Sequence, residues 1–146
     1  MPKLLETLND QARRKDLVAD CCTMIDEEVA SKGGLSGLAV KAGYKVVKGF
    51  KPGFVPDTVS ALMNDFAQNL QPIVDDAEAQ GKSVSSFFKA NPGRVADALL
   101  SITDERAKKS KHGTIKGAYE RLRSTAKKNV EEAAPRVGTL IEKYTK

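Results

Sequence analysis

Apolar side chains recur every three or four residues along most of the chain, which is the spacing of one face of an α-helix. Two clear stripes, one before Gly33 and one after Pro56, are formed by Leu17, Val18, Cys21, Ile25 and Val29 and by Val59, Leu62, Met63, Phe66 and Leu70. The apolar residues between 73 and 77 stay in phase with the second stripe. Pro72 therefore either kinks one long helix or starts another.

The second half of the chain carries distinct helix boundaries. Residues 83–90 are predicted to form a short helix, and Asn91-Pro92 predicts a restart, with Asn as the cap and Pro in the first turn. Thr114 is predicted to cap the next helix, and Pro135 is predicted to open the last one. The apolar stripes are Phe87 and Phe88; Val95, Leu99 and Ile102; Ile115, Ala118, Tyr119, Leu122, Ala126, Val130 and Ala133; and Val137, Leu140, Ile141 and Tyr144.

No alternating run bounded by hairpin turns predicts a β-strand. The sequence therefore predicts an all-α protein with a single helical domain over residues 1–146. We expect a compact bundle of about six or seven amphipathic helices, several of which open with Pro. A chain of 146 residues with 40% hydrophobic residues is long enough to bury a core without disulfides or metals. With no Trp and few other aromatic residues, that core must be mainly aliphatic.

Residues 33–56 combine glycines, lysines and a Pro-Gly pair, and they predict a glycine turn followed by a basic amphipathic helix. At 100° per residue, one arc of this helix carries Leu35, Leu38, Ala39, Ala42, Val46 and Phe50, and the opposite arc carries Lys41, Lys45, Lys48 and Lys51. The glycines do not form a phosphate-binding loop, because the loop's Lys-Ser/Thr ending and the preceding strand are both absent.

Two interpretations of this helix compete. It can lie on an anionic membrane, with Lys41, Lys45, Lys48 and Phe50 as the interfacial residues. Alternatively, it is a core helix with solvated lysines, in which Val46 and Phe50 are buried. The wide apolar arc of small residues favours the core interpretation, since an interfacial helix more often carries Trp or several Phe.

The net charge of +5 is unevenly distributed. Residues 57–78 carry five acids and no base, whereas residues 106–128 carry nine bases and one acid. This asymmetry is compatible with internal complementarity, a basic binding face or self-association. The candidate nucleic-acid or anion contacts in the basic segment are Lys108, Lys109, Lys111, Lys116, Arg123 and Lys127. These charges border both edges of the apolar stripe, which is also typical of a solvated amphipathic helix.

Residue chemistry gives no indication of an enzyme. The single histidine, His112, sits in a polar, basic turn and is predicted to be an exposed loop residue, since no sequence neighbour supplies an orienting carboxylate. The adjacent Cys21 and Cys22 are predicted to be buried helix residues rather than a structural disulfide or a zinc site. We therefore expect no catalytic residue, no metal and no cofactor. No apolar run is long enough to span a bilayer, and the N-terminus lacks a signal-peptide core, so a cytoplasmic location is expected.

Three segments, "SGLAVKAGYKVVKGFKPGFVPDTVSALMNDF", "NPGRVADALLSITDERAKK" and "GAYERLRSTAKKNVEEAAPRVGTLIEKY", resemble a bacterial family of small all-helical proteins known only as a domain of unknown function. The resemblance covers the chain from about residue 4 to its end. It implies a bacterial cytoplasmic helical protein and carries over no catalytic residue. The leading hypothesis is a non-enzymatic protein that binds a protein partner, associates with itself or has a structural role. The alternatives are nucleic-acid binding through residues 106–128 and membrane-surface binding through residues 35–51.

Overall fold

The computed structural model of the protein describes residues 4–145, apart from the side chain of Ser36. Over that range the chain forms seven α-helices and no strand, which confirms the all-α class. The helices are α1 Leu4–Leu8, α2 Gln11–Ser31, α3 Gly34–Lys48, α4 Phe54–Ala79, α5 Val84–Ala90, α6 Pro92–Lys109 and α7 Gly113–Thr145. The sequence pattern did not predict α1, because five residues are too short to show a helical period.

Polar side chains define several helix ends. The carboxylate of Asp10 accepts hydrogen bonds from the first amides of α2, and Ser83 caps α5 by accepting from the amide of Ser86 at 3.3 Å. Asn91 differs from its predicted role at the start of α6. Its side-chain amide donates to the carbonyl of Phe87 at 2.9 Å, so Asn91 satisfies the last turn of α5. Pro92 occupies the first turn of α6, as predicted.

Two prolines lie inside helices. The prediction that Pro135 opens a helix is wrong, because α7 runs without a break from Gly113 to Thr145. A proline inside a helix removes a backbone hydrogen bond and costs about 3 kcal/mol, so tertiary packing must hold this region helical. Ala134 and Gly138, which flank Pro135, are both buried. Pro72 also lies within a single helix, α4.

The starts of two other helices also bear on the predicted boundaries. The first turn of α7 starts earlier than the predicted cap Thr114, since the amide of Lys116 donates to the carbonyl of His112 at 3.0 Å. Pro56 lies in the first turn of α4, as predicted.

The best-packed part of the molecule is the contact of α5 with α4, α6 and the C-terminal half of α7. Phe88, Val74 and Val95 have no exposed surface there. The approach of α5 to α7 is close: a Cβ added to Gly138 would lie 2.7 Å from the Cα atom of Ser85. The absence of a side chain at Gly138 therefore allows two backbones to meet.

A large apolar cavity lies on another side of the core, between α2, α4 and α7, with further side chains from α1, α3 and α6. Its volume is about 400 Å³. The predicted stripe of α2 faces this cavity, and no residue of that helix is fully buried.

Candidate functional site

Helix α3 directs the centre of its apolar arc outward, so the prediction of a core helix with Val46 buried is wrong. Leu35 is 88% exposed, Leu38 is 64% exposed and Val46 is 40% exposed. Ala39 and Ala42 are exposed on the same side. We refer to these five residues as the α3 strip. The buried side of α3 is rotated by about a third of a turn from the predicted one.

Small residues determine which side of α3 packs. The buried residues are Gly37, Val40 and Gly43, of which Val40 and Gly43 lie at one edge of the predicted apolar arc and Gly37 lies beyond it. A Cβ added to Gly43 would lie 3.0 Å from the side chain of Leu122 in α7, so the glycine allows α3 to approach closely. The same side carries Tyr44, whose hydroxyl donates to Asp26 of α2 at 2.6 Å. Close approach and one polar contact therefore outweigh the greater hydrophobicity of the leucines.

The lysines of α3 lie along one edge of the α3 strip, and all of them are exposed as predicted. Lys48 forms an ion pair with Asp26 at 3.1 Å, whereas Lys41 and Lys45 form none within the described part of the chain. Residues 33–56 carry no acid, so Lys41 and Lys45 have no acidic neighbour on their own helix.

Phe50 is not part of the α3 strip. It is half-buried, and its ring packs 5.2 Å from that of Phe54 and 5.1 Å from that of His112. Phe50 thereby joins the end of α3 to the loop before α7. His112 itself is exposed, as predicted.

The six candidate contacts of the basic segment divide into two groups. Arg123 bonds Asp104 at 2.9 Å and Lys127 pairs with Asp97 at 3.3 Å, so these two bases hold α7 against α6. The others, Lys108, Lys109, Lys111 and Lys116, are exposed. Part of the basic segment is thus neutralised within the protein. The acids that pair with it here come from α6 and not from the acid-rich residues 57–78.

Three tyrosines each donate a hydrogen bond to an aspartate on another helix, an arrangement that the sequence analysis missed. The pairs are Tyr44 with Asp26 at 2.6 Å, Tyr119 with Asp104 at 2.5 Å and Tyr144 with Asp20 at 2.5 Å. Each aspartate also accepts from a base, namely Lys48, Arg123 or Lys143. The spacing Tyr-x-x-x-Lys/Arg, present at 44–48 and 119–123, is the signal that could have indicated two of these clusters.

The clusters shift the pKa values of both partners. Burial, together with the hydrogen bond to Asp104, raises the pKa of Tyr119 to about 12. The hydrogen bonds from Lys143 and Tyr144 lower the pKa of Asp20, and the hydrogen bond from Tyr44 lowers that of Asp26. Each cluster therefore joins two helices through a tyrosine hydroxyl and an aspartate carboxylate.

The two cysteines are free thiols on α2, and both are half-buried. Cys21 lines the apolar cavity, and burial raises the pKa of its thiol to about 12. A thiol with such a pKa is a poor nucleophile at neutral pH. Among residues 4–145, no group of His, Cys, Asp and Glu is arranged to hold a metal ion. Of the described helices, none combines the length and the hydropathy needed for a bilayer span.

The comparisons with known proteins give one result. The chain belongs to a family of unknown function, DUF6918, whose model matches residues 4–145. The comparison with curated proteins finds no match, and the comparison with solved structures finds none either. The resemblance inferred from the sequence is therefore confirmed at the level of the family. The bacterial source that it implies stays a prediction.

Proposed function

We propose that this family member acts without catalysis, as a protein that docks reversibly on anionic membrane surfaces through the α3 strip and its neighbouring lysines. The observation that carries the proposal is the exposure of Leu35 and Leu38, at 88% and 64%, beside Lys41 and Lys45. A helix that places leucines in the acyl boundary and lysines among anionic headgroups has this composition.

The magnitudes fit weak, reversible docking. Burying a leucine side chain is worth about 1.5–3 kcal/mol, so Leu35 and Leu38 together contribute about 3–6 kcal/mol. A lysine near an anionic surface adds about 1 kcal/mol. The two leucines with Lys41 and Lys45 then supply about 5–8 kcal/mol, which corresponds to binding between the millimolar and the micromolar range.

The shape of the surface favours a bilayer over a protein partner. The α3 strip is a convex ridge along one helix, and two of its outermost members, Leu35 and Leu38, lie in the first turns. A folded partner would need a matching apolar groove, whereas headgroups and acyl chains adapt to a ridge. The basic segment at 106–128 has no comparable apolar component at its exposed lysines, and two of its bases already pair with α6.

Vesicle flotation tests the proposal. The protein should float with vesicles of phosphatidylglycerol and phosphatidylcholine and remain in solution with phosphatidylcholine alone. Replacing Lys41 and Lys45 by Gln should weaken binding by about thirtyfold, because each lysine contributes about 1 kcal/mol to the binding free energy. The matched control replaces the exposed Lys82 and Lys89, which lie outside α3, and should bind like the unmodified protein.

The double variant Leu35→Ser and Leu38→Ser should lose vesicle binding while keeping its melting temperature. Equal weakening by both lysine pairs would show that only net charge matters and would contradict a defined surface. Binding to duplex DNA at low salt that disappears on replacing Lys108, Lys109, Lys111 and Lys116 by Gln, with no vesicle binding, would instead assign the function to the basic segment.

A further inference from the structure

The cavity between α2, α4 and α7 is lined almost entirely by apolar surface and extends along α2, and we refer to it as the channel. On α2 its lining runs from Leu17 to Lys32, which at 1.5 Å per residue is a length of about 22 Å. An apolar site of this length offers a linear hydrocarbon chain more contact along its walls than it offers a compact ring of the same carbon number.

The walls of the channel are aliphatic and adaptable. Every lining residue is buried or half-buried, and the channel is partly open to solvent, which gives a ligand a way in. Leucine, isoleucine, valine and methionine dominate the lining, and the two aromatic residues among it are Phe66 and Tyr144. Met24 of α2 and Met63 of α4 both line the channel, and their flexible side chains can follow a chain of variable conformation.

The charged residues of the lining are already paired with one another. Lys32 lies 3.3 Å from Glu28 and 2.6 Å from Glu132, and Arg136 also pairs with Glu28 at 3.3 Å. The side chains of Lys32 and Glu28 are 11% and 18% exposed. A molecule in the channel therefore meets the methylene groups of these residues and no unpaired charge, so the part that it buries must be uncharged.

We propose that this channel binds a single linear hydrocarbon chain, either as a free aliphatic molecule or as the chain of a lipid. A chain that fills the volume restores the dispersion contacts that its lining otherwise lacks. For comparison, an apolar cavity of about 150 Å³ in another protein stays dry and binds benzene. The inference rests on the channel alone and does not depend on membrane docking by α3.

The first test is a calorimetric titration of the protein with 1-hexanol, 1-octanol, 1-decanol and 1-dodecanol. Affinity should rise by about fourfold for each added methylene while the chain is shorter than the channel. Cyclododecanol, which has the carbon number of 1-dodecanol in a ring, should bind at least tenfold more weakly. Equal binding of the ring and the chain, or no binding of 1-dodecanol, would overturn the proposal.

The adjacent cysteines supply a test of location, because Cys21 lines the channel and Cys22 does not. Because the Cys21 thiol is a poor nucleophile near neutrality, its slow modification by excess N-ethylmaleimide is followed over hours in a Cys22→Ser variant. Saturating 1-dodecanol should slow this modification at least tenfold further. In the matched Cys21→Ser variant, modification of Cys22 should keep its rate. Equal slowing of both thiols, or of neither, would show that the alcohol does not occupy the channel.

A filling variant and a lipid comparison complete the experiment. Ala133→Leu adds volume inside the channel and should weaken 1-dodecanol binding at least tenfold; if this variant does not fold, the cysteine rates decide the question. Binding of both dodecanoate and a twelve-carbon lysophosphatidylcholine would indicate that lipid chains are accepted. Binding of 1-dodecanol and dodecanoate without the lysolipid would restrict the ligand to free chains. Unchanged affinity in folded Ala133→Leu protein would overturn the assignment.

Discussion

Helices α3 and α5 both pack on α7 through a glycine, but the large apolar side chains of α5 are buried and those at the centre of the α3 arc are exposed. Gly43 of α3 faces the Leu122 side chain, and Gly138 of α7 faces the Ser85 backbone of α5. All three large apolar side chains of α5, Val84, Phe87 and Phe88, are at most 5% exposed. The largest ones of α3, Leu35 and Leu38, point into solvent.

The difference separates the buried side chains of α5, which maintain the fold, from the side chains of α3 that are left exposed. Helix α5 is enclosed by α4, α6 and α7, and its amide at Ser85 donates to Glu142 of α7 at 2.6 Å. Helix α3 is covered on one side, and its contact with α2 depends on the polar cluster of Tyr44, Asp26 and Lys48. Substitutions should therefore affect stability in α5 and surface binding in α3.

The largest effect is expected in α5. Phe88→Ala removes a ring with no exposed surface and should lower the free energy of unfolding by about 3–5 kcal/mol. Urea denaturation followed by circular dichroism measures this change. A loss below about 1 kcal/mol would contradict the comparison, because α5 would then be no better packed than α3.

The second largest loss of stability is expected from a substitution at Gly138, where α7 meets α5. Gly138→Ala places a Cβ 2.7 Å from the Ser85 backbone, and such overpacking should cost about 1–3 kcal/mol. Gly117→Ala is the matched control on the same helix, because nothing lies within 4 Å of its added Cβ. The control should gain about 0.5–1 kcal/mol from helix propensity alone. Thermal melts in which the two variants shift in the same direction would contradict the close approach.

The hydrogen bond from Tyr44 of α3 to Asp26 should stabilise the protein less as the solution becomes alkaline. Burial and the hydrogen bond to Asp26 raise the pKa of Tyr44 above its ordinary value of 10.0. A raised pKa in the folded state means that this stabilisation is fully present below the unfolded pKa and is lost as pH rises through the folded pKa. Tyr44→Phe should therefore be less stable by about 1 kcal/mol at pH 7, and the gap should close as pH rises above about 10. A gap that stays constant with pH would contradict this role.

The smallest stability effect is expected on the α3 strip. Leu35→Ser should change the free energy of unfolding by less than about 0.5 kcal/mol, since the side chain is 88% exposed. Chemical denaturation beside the unmodified protein measures the change. A loss of about 2 kcal/mol or more would return α3 to the core interpretation that its sequence favours.

The sequence predicts most helices and stripes correctly because burial in this fold follows a helical period. It does not predict which side of α3 is buried, because an arc that includes Leu35, Val40 and Val46 is apolar over more than half a turn. Which edge is buried depends on Leu122 and Asp26, far away along the chain. The continuity of α7 through Pro135 has the same origin, because the packing around Ala134 and Gly138 overrides a local signal.

The candidate site shows the same limit. The interfacial interpretation of the sequence includes Phe50, which is half-buried and lies outside the α3 strip. Which side of α3 is exposed depends on tertiary contacts such as those of Gly43 and Tyr44. The cavity could not be predicted at all, because the stripe on α2 is identical whether it meets close-packed side chains or a channel.

The absence of tryptophan from the chain allows one measurement to test the central claim, that α3 rather than another surface docks on anionic membranes. Leu38→Trp places a single reporter on the α3 strip, and Lys89→Trp places one at an exposed position of α5. With vesicles containing phosphatidylglycerol, the emission of Trp at position 38 should shift to shorter wavelength, and that of Trp at position 89 should not. No shift at position 38, or equal shifts at both positions, would contradict the account.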